Sequence, residues 1–449
     1  SIPYAGPYDN FVHHTLMGMS ANTLDRKYDE RSGAYRLYSY LLRTPASGAK
    51  APAARSGVNH GITKPAPTPG YGIGSYTLVS FTDHDGRPTG GIGLCPTSIL
   101  PGSPLERAGF RRGDIIAEVD GKTPTESTYA AIFTSLLSPA DGAEVELTRN
   151  EADARPVRVA AERLGPTPII RAEVLDGTQV GYIVYESFDA AYDDDLLDAV
   201  KRLREEGITD LVLDLRNNGG GHVISSNMLS SCIGGAACRD KVFQFYRYNE
   251  ECMASWEQTA ELFGQKYDPA AERFYEKFYD GDYYGVDLRN YALNMTRLYV
   301  LVTGNTASSS EAVINTLRGL DGFTVKLIGE KTNGKNVGME VSKFTVGNYS
   351  YELAPISFQG YNAKQVTVNK DGLAVDTACE EWNGELKDYG DRSEPMLAAA
   401  LSQITGQRSA SVSGTRSTAP GVRPATDIAL PDLSNRPSGM IVFLPAAEE

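Results

Sequence analysis

Asp210-Leu-Val-Leu-Asp-Leu215-Arg-Asn-Asn-Gly-Gly-Gly221 opens on an almost unbroken apolar run and closes on three glycines. A strand covered by helices on both faces loses the alternation of a half-exposed strand, so this run reads as an interior strand of an α/β sheet. The glycines behind it expose backbone N–H groups and let another chain approach, at the strand end where α/β proteins concentrate their sites. The same rhythm continues outward. Val180-Gly-Tyr-Ile-Val-Tyr185 is another apolar strand, residues 193–206 predict an amphipathic helix, and residues 298–303, 309–320 and 324–328 repeat strand, helix, strand. Residues 166–406 are therefore expected to form an α/β core.

Ahead of that core lies a β-rich unit, residues 70–165. Residues 71–79 and 91–94 flank the turn Asp83-His-Asp-Gly-Arg87 and predict a hairpin. One helical turn closed by Gly109, a strand ending at Asp120-Gly121, a helix over 127–137 and strands over 144–149 and 156–160 complete the unit. Gly109, Gly113 and Gly121 stand where tight turns demand positive φ. Residues 1–45 are expected as a small N-terminal helical region. Residues 46–69, dominated by Ala, Pro, Gly and Ser, read as a linker, and residues 407–449 as a flexible tail with a last strand at 440–444.

Composition narrows the function classes. With 41% hydrophobic and 22% charged residues, the 449-residue chain is too well mixed to be disordered and long enough for two to three domains. Its 43 Lys+Arg against 57 Asp+Glu give a formal charge of -14, which argues against a sequence-independent nucleic-acid binder. No run approaches the 18 or more apolar residues of a membrane helix, about the length that crosses a bilayer. Five scattered cysteines make neither a disulfide scaffold nor a zinc spacing, so no metal and no cofactor are predicted. Cys232 and Cys238 could bridge a short loop; the alternative is two ordinary buried thiols.

Two further segments follow buried strands. Asn305-Thr-Ala-Ser-Ser-Ser-Glu311 sits at a strand-to-helix junction, where a hydroxyl meets unpaired N–H groups and the positive end of the helix dipole. Gly329-Glu-Lys-Thr-Asn-Gly-Lys335-Asn336 nearly spells a phosphate-binding loop, but Asn336 replaces the magnesium-binding hydroxyl. Strand-like alternation follows where that motif needs a helix, so no nucleotide partner is expected.

Residues 100–122, Leu-Pro-Gly-Ser-Pro-Leu-Glu-Arg-Ala-Gly-Phe-Arg-Arg-Gly-Asp-Ile-Ile-Ala-Glu-Val-Asp-Gly-Lys, resemble the central segment of a PDZ domain. Such a domain binds a peptide by strand addition, a glycine-containing loop receiving the terminal carboxylate. Here that loop is Tyr71-Gly72-Ile73-Gly74, with 91–94 as the competitor. With Asp-Leu-Arg-Asn-Asn-Gly-Gly-Gly, Thr-Ala-Ser-Ser-Ser-Glu and Gly-Glu-Lys-Thr-Asn-Gly-Lys in this order behind it, the chain resembles the carboxyl-terminal-processing (tail-specific) serine proteases. The resemblance covers about residues 70–405. It implies a crotonase/Clp-protease-like core, endopeptidase activity through a serine–lysine dyad, and capture of the substrate C-terminus by the PDZ domain. The family's Ser-Ala-Ser-Ala-Ser-Glu, with the middle serine as nucleophile, falls on Thr306–Glu311 and selects Ser308; its Gly-x-x-Thr-x-Gly-Lys selects Lys335 as base.

The chemistry is coherent on its own terms. A serine becomes nucleophilic once a base takes its proton, and a lysine can be that base when desolvation lowers its pKa. The N–H of Ser309 with that of Gly219 or Gly220 would form the oxyanion hole, each donor worth on the order of 3 kcal/mol. Glu311 reads as a cap. The family's lysine-orienting glutamine falls on Met339, so the third catalytic member is unassigned, with Asp321 as a candidate. His222, after the triple glycine, is the alternative partner of Ser308, and an imidazole beside a glycine loop reads more readily as structural. The alternative function is a catalytically silent peptide-binding protein. Partners are expected to be polypeptides with exposed C-termini, and assembly into a homo-oligomer stays open. By the same resemblance the chain is expected to be exported, in the periplasm or cell envelope, its non-Met start being compatible with a trimmed or lipid-anchored form.

Overall fold

The computed structural model describes residues 25–29, 34–45, 62–151, 153–248, 253, 260, 264–346, 349–382, 386–406, 422–424 and 440–443. Its centre is a six-stranded sheet in the order Ile169–Val174, Val180–Tyr185, Asp210–Asp214, Arg297–Val302, Thr324–Gly329, Thr377–Ala378. The first pair is antiparallel and the rest parallel. Every residue of Val180–Tyr185 and Asp210–Asp214 is buried, which is why these strands read as continuous rather than alternating. Ile183, Leu211, Leu213, Val300 and Leu327 face the helices Asp193–Glu205, Val223–Gly234 and Ser309–Arg318. On the opposite face Tyr182, Val184, Val212, Tyr299 and Leu301 pack on Met396, Leu397, Ala400 and Leu401 of helix Pro395–Thr405. The expected α/β core is present, its elements ending within a few residues of the sequence reading.

The β-rich unit, with helix Tyr129–Leu137, contributes five strands, Ile73–Thr82, Pro88–Ile99, Ile116–Val119, Glu144–Arg149 and Val157–Ala160, to a second six-stranded sheet, antiparallel throughout, whose sixth strand is Val422–Pro424 of the tail. Asp120 (φ 50°) and Gly121 (φ 68°) make the turn that the Asp-Gly pair predicts. Gly113 (φ 90°) is needed twice over: a Cβ there would lie 2.0 Å from the carbonyl oxygen of Leu386 in the core. The competitor loop 91–94 is no loop but the middle of strand Pro88–Ile99.

The helical expectation for 1–45 fails over its described residues. Arg26–Asp29 pairs antiparallel with Ala34–Leu37, and Tyr40–Pro45 adds to Tyr349–Ala354 at the edge of a third, mixed sheet. The spacing of Tyr35, Tyr38, Leu41 and Leu42 is closer to a helix than to a strand, and pairing with an available sheet edge overrides it. Residues 1–24 lie outside the described residues, as does 46–61 of the linker. In the tail, Val422–Pro424 pairs antiparallel with Val79–Phe81, and Met440–Phe443 pairs parallel with Gly338–Val341. Cys232 and Cys238 are buried free thiols and form no bridge.

Candidate active site

The three polar segments leave the C-terminal ends of three adjacent parallel strands, Asp210–Asp214, Arg297–Val302 and Thr324–Gly329. Sheet order alone therefore brings together residues more than a hundred positions apart, at the edge where α/β sheets place their sites. Backbone and hydroxyl bonds then lock the loops. Asn218 O accepts from Ala307 N–H (3.0 Å) and Ser310 Oγ (2.9 Å), and Gly221 O accepts from Ser309 Oγ (2.7 Å). Thr306 Oγ donates to Leu215 O at 2.8 Å.

Ser308 caps helix Ser309–Arg318 with φ 60° and ψ -114°, a conformation a non-glycine residue holds at a cost of about 1–3 kcal/mol and only when its surroundings over-determine it. Its side chain is fully buried, and its Oγ has no hydrogen-bond partner among the described residues. A buried hydroxyl without a partner is costly and expected where it is kept for chemistry.

Lys335 is 2% exposed, and burial pushes its amine down to about 7, against the opposing pull of Asp25 and Glu311. The ring of Tyr38 lies 4.8 Å from its Nζ.

Glu311 does more than the cap that the sequence suggests. One carboxylate oxygen accepts from the N–H of Ser308 (3.0 Å) and of Lys335 (2.9 Å); the other accepts from Thr332 Oγ (2.6 Å) and Gly334 N–H (2.7 Å). The serine turn and the lysine loop thus hang from one buried carboxylate, whose pKa burial raises against those four bonds. The Ser-x-x-Glu spacing signals the bond to Ser308; the bonds to the lysine loop carry no local signal.

The oxyanion candidates separate. Ser309, first residue of its helix, has an N–H with no intrahelical acceptor. Gly220 N–H already donates to Asn218 Oδ1 at 2.9 Å, whereas Gly219 N–H has no acceptor among the described residues. Gly220 serves differently: a Cβ there would meet Ser308 Cβ at 2.8 Å and Ala307 O at 2.9 Å. His222 heads helix Val223–Gly234, its Nδ1 accepting from Ala190 N–H (3.1 Å). Asp321 is exposed and paired with Lys364 (3.2 Å), away from the site. Met339 is fully buried beside Val341 and Ala354.

In the PDZ-like sheet, Gly72 (φ 107°) packs so closely on Ser103 that a Cβ would lie 2.1 Å away, and Gly74 packs likewise on Ser98. Ile73 opens the strand. Tyr71 is a core residue whose hydroxyl donates to Ala143 O (3.2 Å), so its side chain is not a ligand contact.

Residues 179–377 match the family model "Peptidase family S41", and residues 97–148 match "PDZ domain". The chain is 33% identical over 147 residues to "Carboxyl-terminal-processing peptidase 2, chloroplastic" of Arabidopsis thaliana, covering 31% of this chain and 28% of that protein. It is 32% identical over 126 residues to the "Probable CtpA-like serine protease" of Staphylococcus aureus (strain bovine RF122 / ET3-1), covering 28% of this chain and 25% of that one. These matches span only about a quarter of the curated relatives' length. The solved "Putative S41 protease from Bacteroides fragilis NCTC 9343" superposes with a TM-score of 0.61 at 25% identity, over 77% of this chain and 85% of that one. The strand ends that carry the serine turn, the lysine loop and the triple glycine all fall inside the first match, and the punctuated glycine segment inside the second. The chain therefore carries a peptidase family S41 domain with a PDZ domain ahead of it.

Proposed function

We propose that the chain is a serine endopeptidase of the carboxyl-terminal-processing kind, with Ser308 as nucleophile and Lys335 as general base. The observation that carries this reading is one buried carboxylate, Glu311, joining the turn of an unpartnered, conformationally strained Ser308 to the loop of a lysine that burial has pushed down to about 7. Near pH 7 a large share of that amine is neutral and able to accept a proton. Lys335 takes the proton of Ser308 Oγ as that oxygen attacks the peptide carbonyl, and the N–H groups of Ser309 and Gly219 receive the oxyanion. The lysine ammonium then protonates the departing amine, and water hydrolyses the acyl-enzyme. Ser308 and Lys335 are buried, so a polypeptide reaches them only when the site opens.

The same proposal includes capture of the substrate's C-terminus at strand Ile73–Thr82. That edge accepts an added strand: Val422–Pro424 lies on it antiparallel, running towards the loop at Gly72. An incoming terminus pairing in this direction would bring its carboxylate to that loop, in competition with the chain's own segment.

The test is cleavage of an unfolded protein with an apolar C-terminus, free or amidated, by the parent and by Ser308→Ala, followed by mass spectrometry. Fragments from the parent alone, fewer on the amidated substrate, support both parts. Full activity in Ser308→Ala removes the nucleophile assignment, and equal cleavage of the amidated form removes carboxylate capture.

A further inference from the structure

We propose that Tyr38, on the segment ahead of both family matches, is a positioning residue for Lys335 and fills the role that Met339 leaves vacant. The inference rests on the Ser308–Lys335 reading. Met339 is fully buried in an apolar cluster and offers no hydrogen bond to an amine. Tyr38 instead presents its ring face to Lys335 Nζ, 4.8 Å from the ring centroid, and its hydroxyl donates to Oδ1 of Asn333 (3.4 Å), two residues before the lysine.

The placement of Tyr38 is built rather than incidental. Its N–H donates to Asp25 O (3.0 Å), and the next N–H, of Ser39, donates to Asp25 Oδ1 (2.8 Å). Ser39 Oγ accepts from Ile356 N–H (3.0 Å), and strand Tyr40–Pro45 continues into six-residue pairing with Tyr349–Ala354. The ring is thereby fixed to the sheet that also holds Val337–Val346, the strand that follows Lys335.

Two effects follow. At rest the ring keeps water from Nζ, which favours the neutral amine needed as base. Once Nζ has taken the serine proton, the same ring face attracts the ammonium, and does so more strongly in a desolvated site. The charged groups facing Nζ are Asp25 on the N-terminal segment and Glu311 on helix Ser309–Arg318, while the Tyr38 hydroxyl, pushed up to about 12, stays neutral. Asp25, Tyr38, Ser39 and strand Tyr40–Pro45 lie ahead of both matched stretches, 97–148 and 179–377, whereas the residues they bond, Asn333, Ile356 and Tyr349–Ala354, lie inside the second.

The experiment compares Tyr38→Ala, Tyr38→Leu and Tyr38→Phe in the full chain, measuring kcat and KM on an unfolded protein across pH, with thermal unfolding as the folding control. Alongside, the pH dependence of Lys335 acylation is read by mass spectrometry in the Ser308→Ala background, which needs no activity. Tyr38→Ala and Tyr38→Leu are expected to lower kcat at neutral pH about tenfold with little change in KM, and to move the acid limb to higher pH. The midpoint of Lys335 labelling should move the same way, and Tyr38→Phe should restore both limb and midpoint. An unmoved labelling midpoint overturns the proposal, as does a gain in activity in Tyr38→Ala, which would make the segment a cover. Activity retained by Ser308→Ala would instead sink the dyad, whatever the Tyr38 variants do.

Discussion

Lys335 shows at the residue scale what the site costs. Its amine is held at about 7, below the ordinary lysine value of 10.5, mainly by burial. At pH values between these two, the unfolded chain binds a proton that the folded chain does not, so stability rises with pH across that window. Below about 7 the full penalty of a buried cation is present, on the order of a few kcal/mol. Lys335→Met should therefore raise the Tm by several degrees below neutral pH and by less near pH 9, while abolishing cleavage. A Tm difference independent of pH would refute this account. For the parent, kcat/KM should climb as pH rises through about 7, where the base becomes neutral.

At the scale of elements, helix Ser309–Arg318 is fastened through Glu311 to a loop that follows a neighbouring strand. Glu311→Gln keeps the shape but turns an amide NH2 towards N–H or O–H donors, leaving at least one buried donor without an acceptor. The expected cost is about 2–3 kcal/mol in stability. Activity should fall at least tenfold, since the turn carrying Ser308 and the loop carrying Lys335 no longer share an anchor. A variant with parental Tm and parental kcat would show that the remaining loop bonds suffice. The same scale explains the error in the N-terminal region, where weak local periodicity yields to backbone pairing with Tyr349–Ala354.

The whole molecule is tied together by two arginines. Arg112, from the PDZ-like sheet, is 3% exposed; it donates to Thr97 O within that sheet, and to Lys387 O and Glu381 across the junction. Arg216, from the strand end that begins the glycine motif, bonds Asp214 and Glu394 and lies 3.6 Å from Glu381. The ring of Tyr389 lies against both guanidinium groups, at 4.4 and 5.3 Å. Arg112→Ala leaves the carbonyl oxygens of Thr97 and Lys387 without that donor and Glu381 with Arg216 at 3.6 Å, at an expected cost of about 1–3 kcal/mol. Hydrogen exchange should accelerate over residues 73–160 and little over 180–329. Uniform protection in the variant would mean that the remaining contacts, Gly113 on Leu386 and Ser75 on Glu186 among them, hold the junction.

The sequence by itself determined the strands and helices of the α/β core and of the β-rich unit, and marked the polar segments at the strand ends. Unbroken apolar runs mark strands buried on both faces, and Gly, Ser and Lys behind them are legible because turn geometry and nucleophilic chemistry restrict residue type locally. It also singled out Ser308 and Lys335, through a resemblance in three ordered motifs. Only the tertiary structure decided which backbone groups remain free and which carboxylate joins the motifs. Gly220 loses its N–H to Asn218, Glu311 spans from a helix to a loop, and Tyr38 reaches Lys335 across nearly three hundred residues of chain. These contacts depend on strand order and on a sheet edge filled from a distance, and no local pattern encodes a partner that pairing brings near only after the chain has folded.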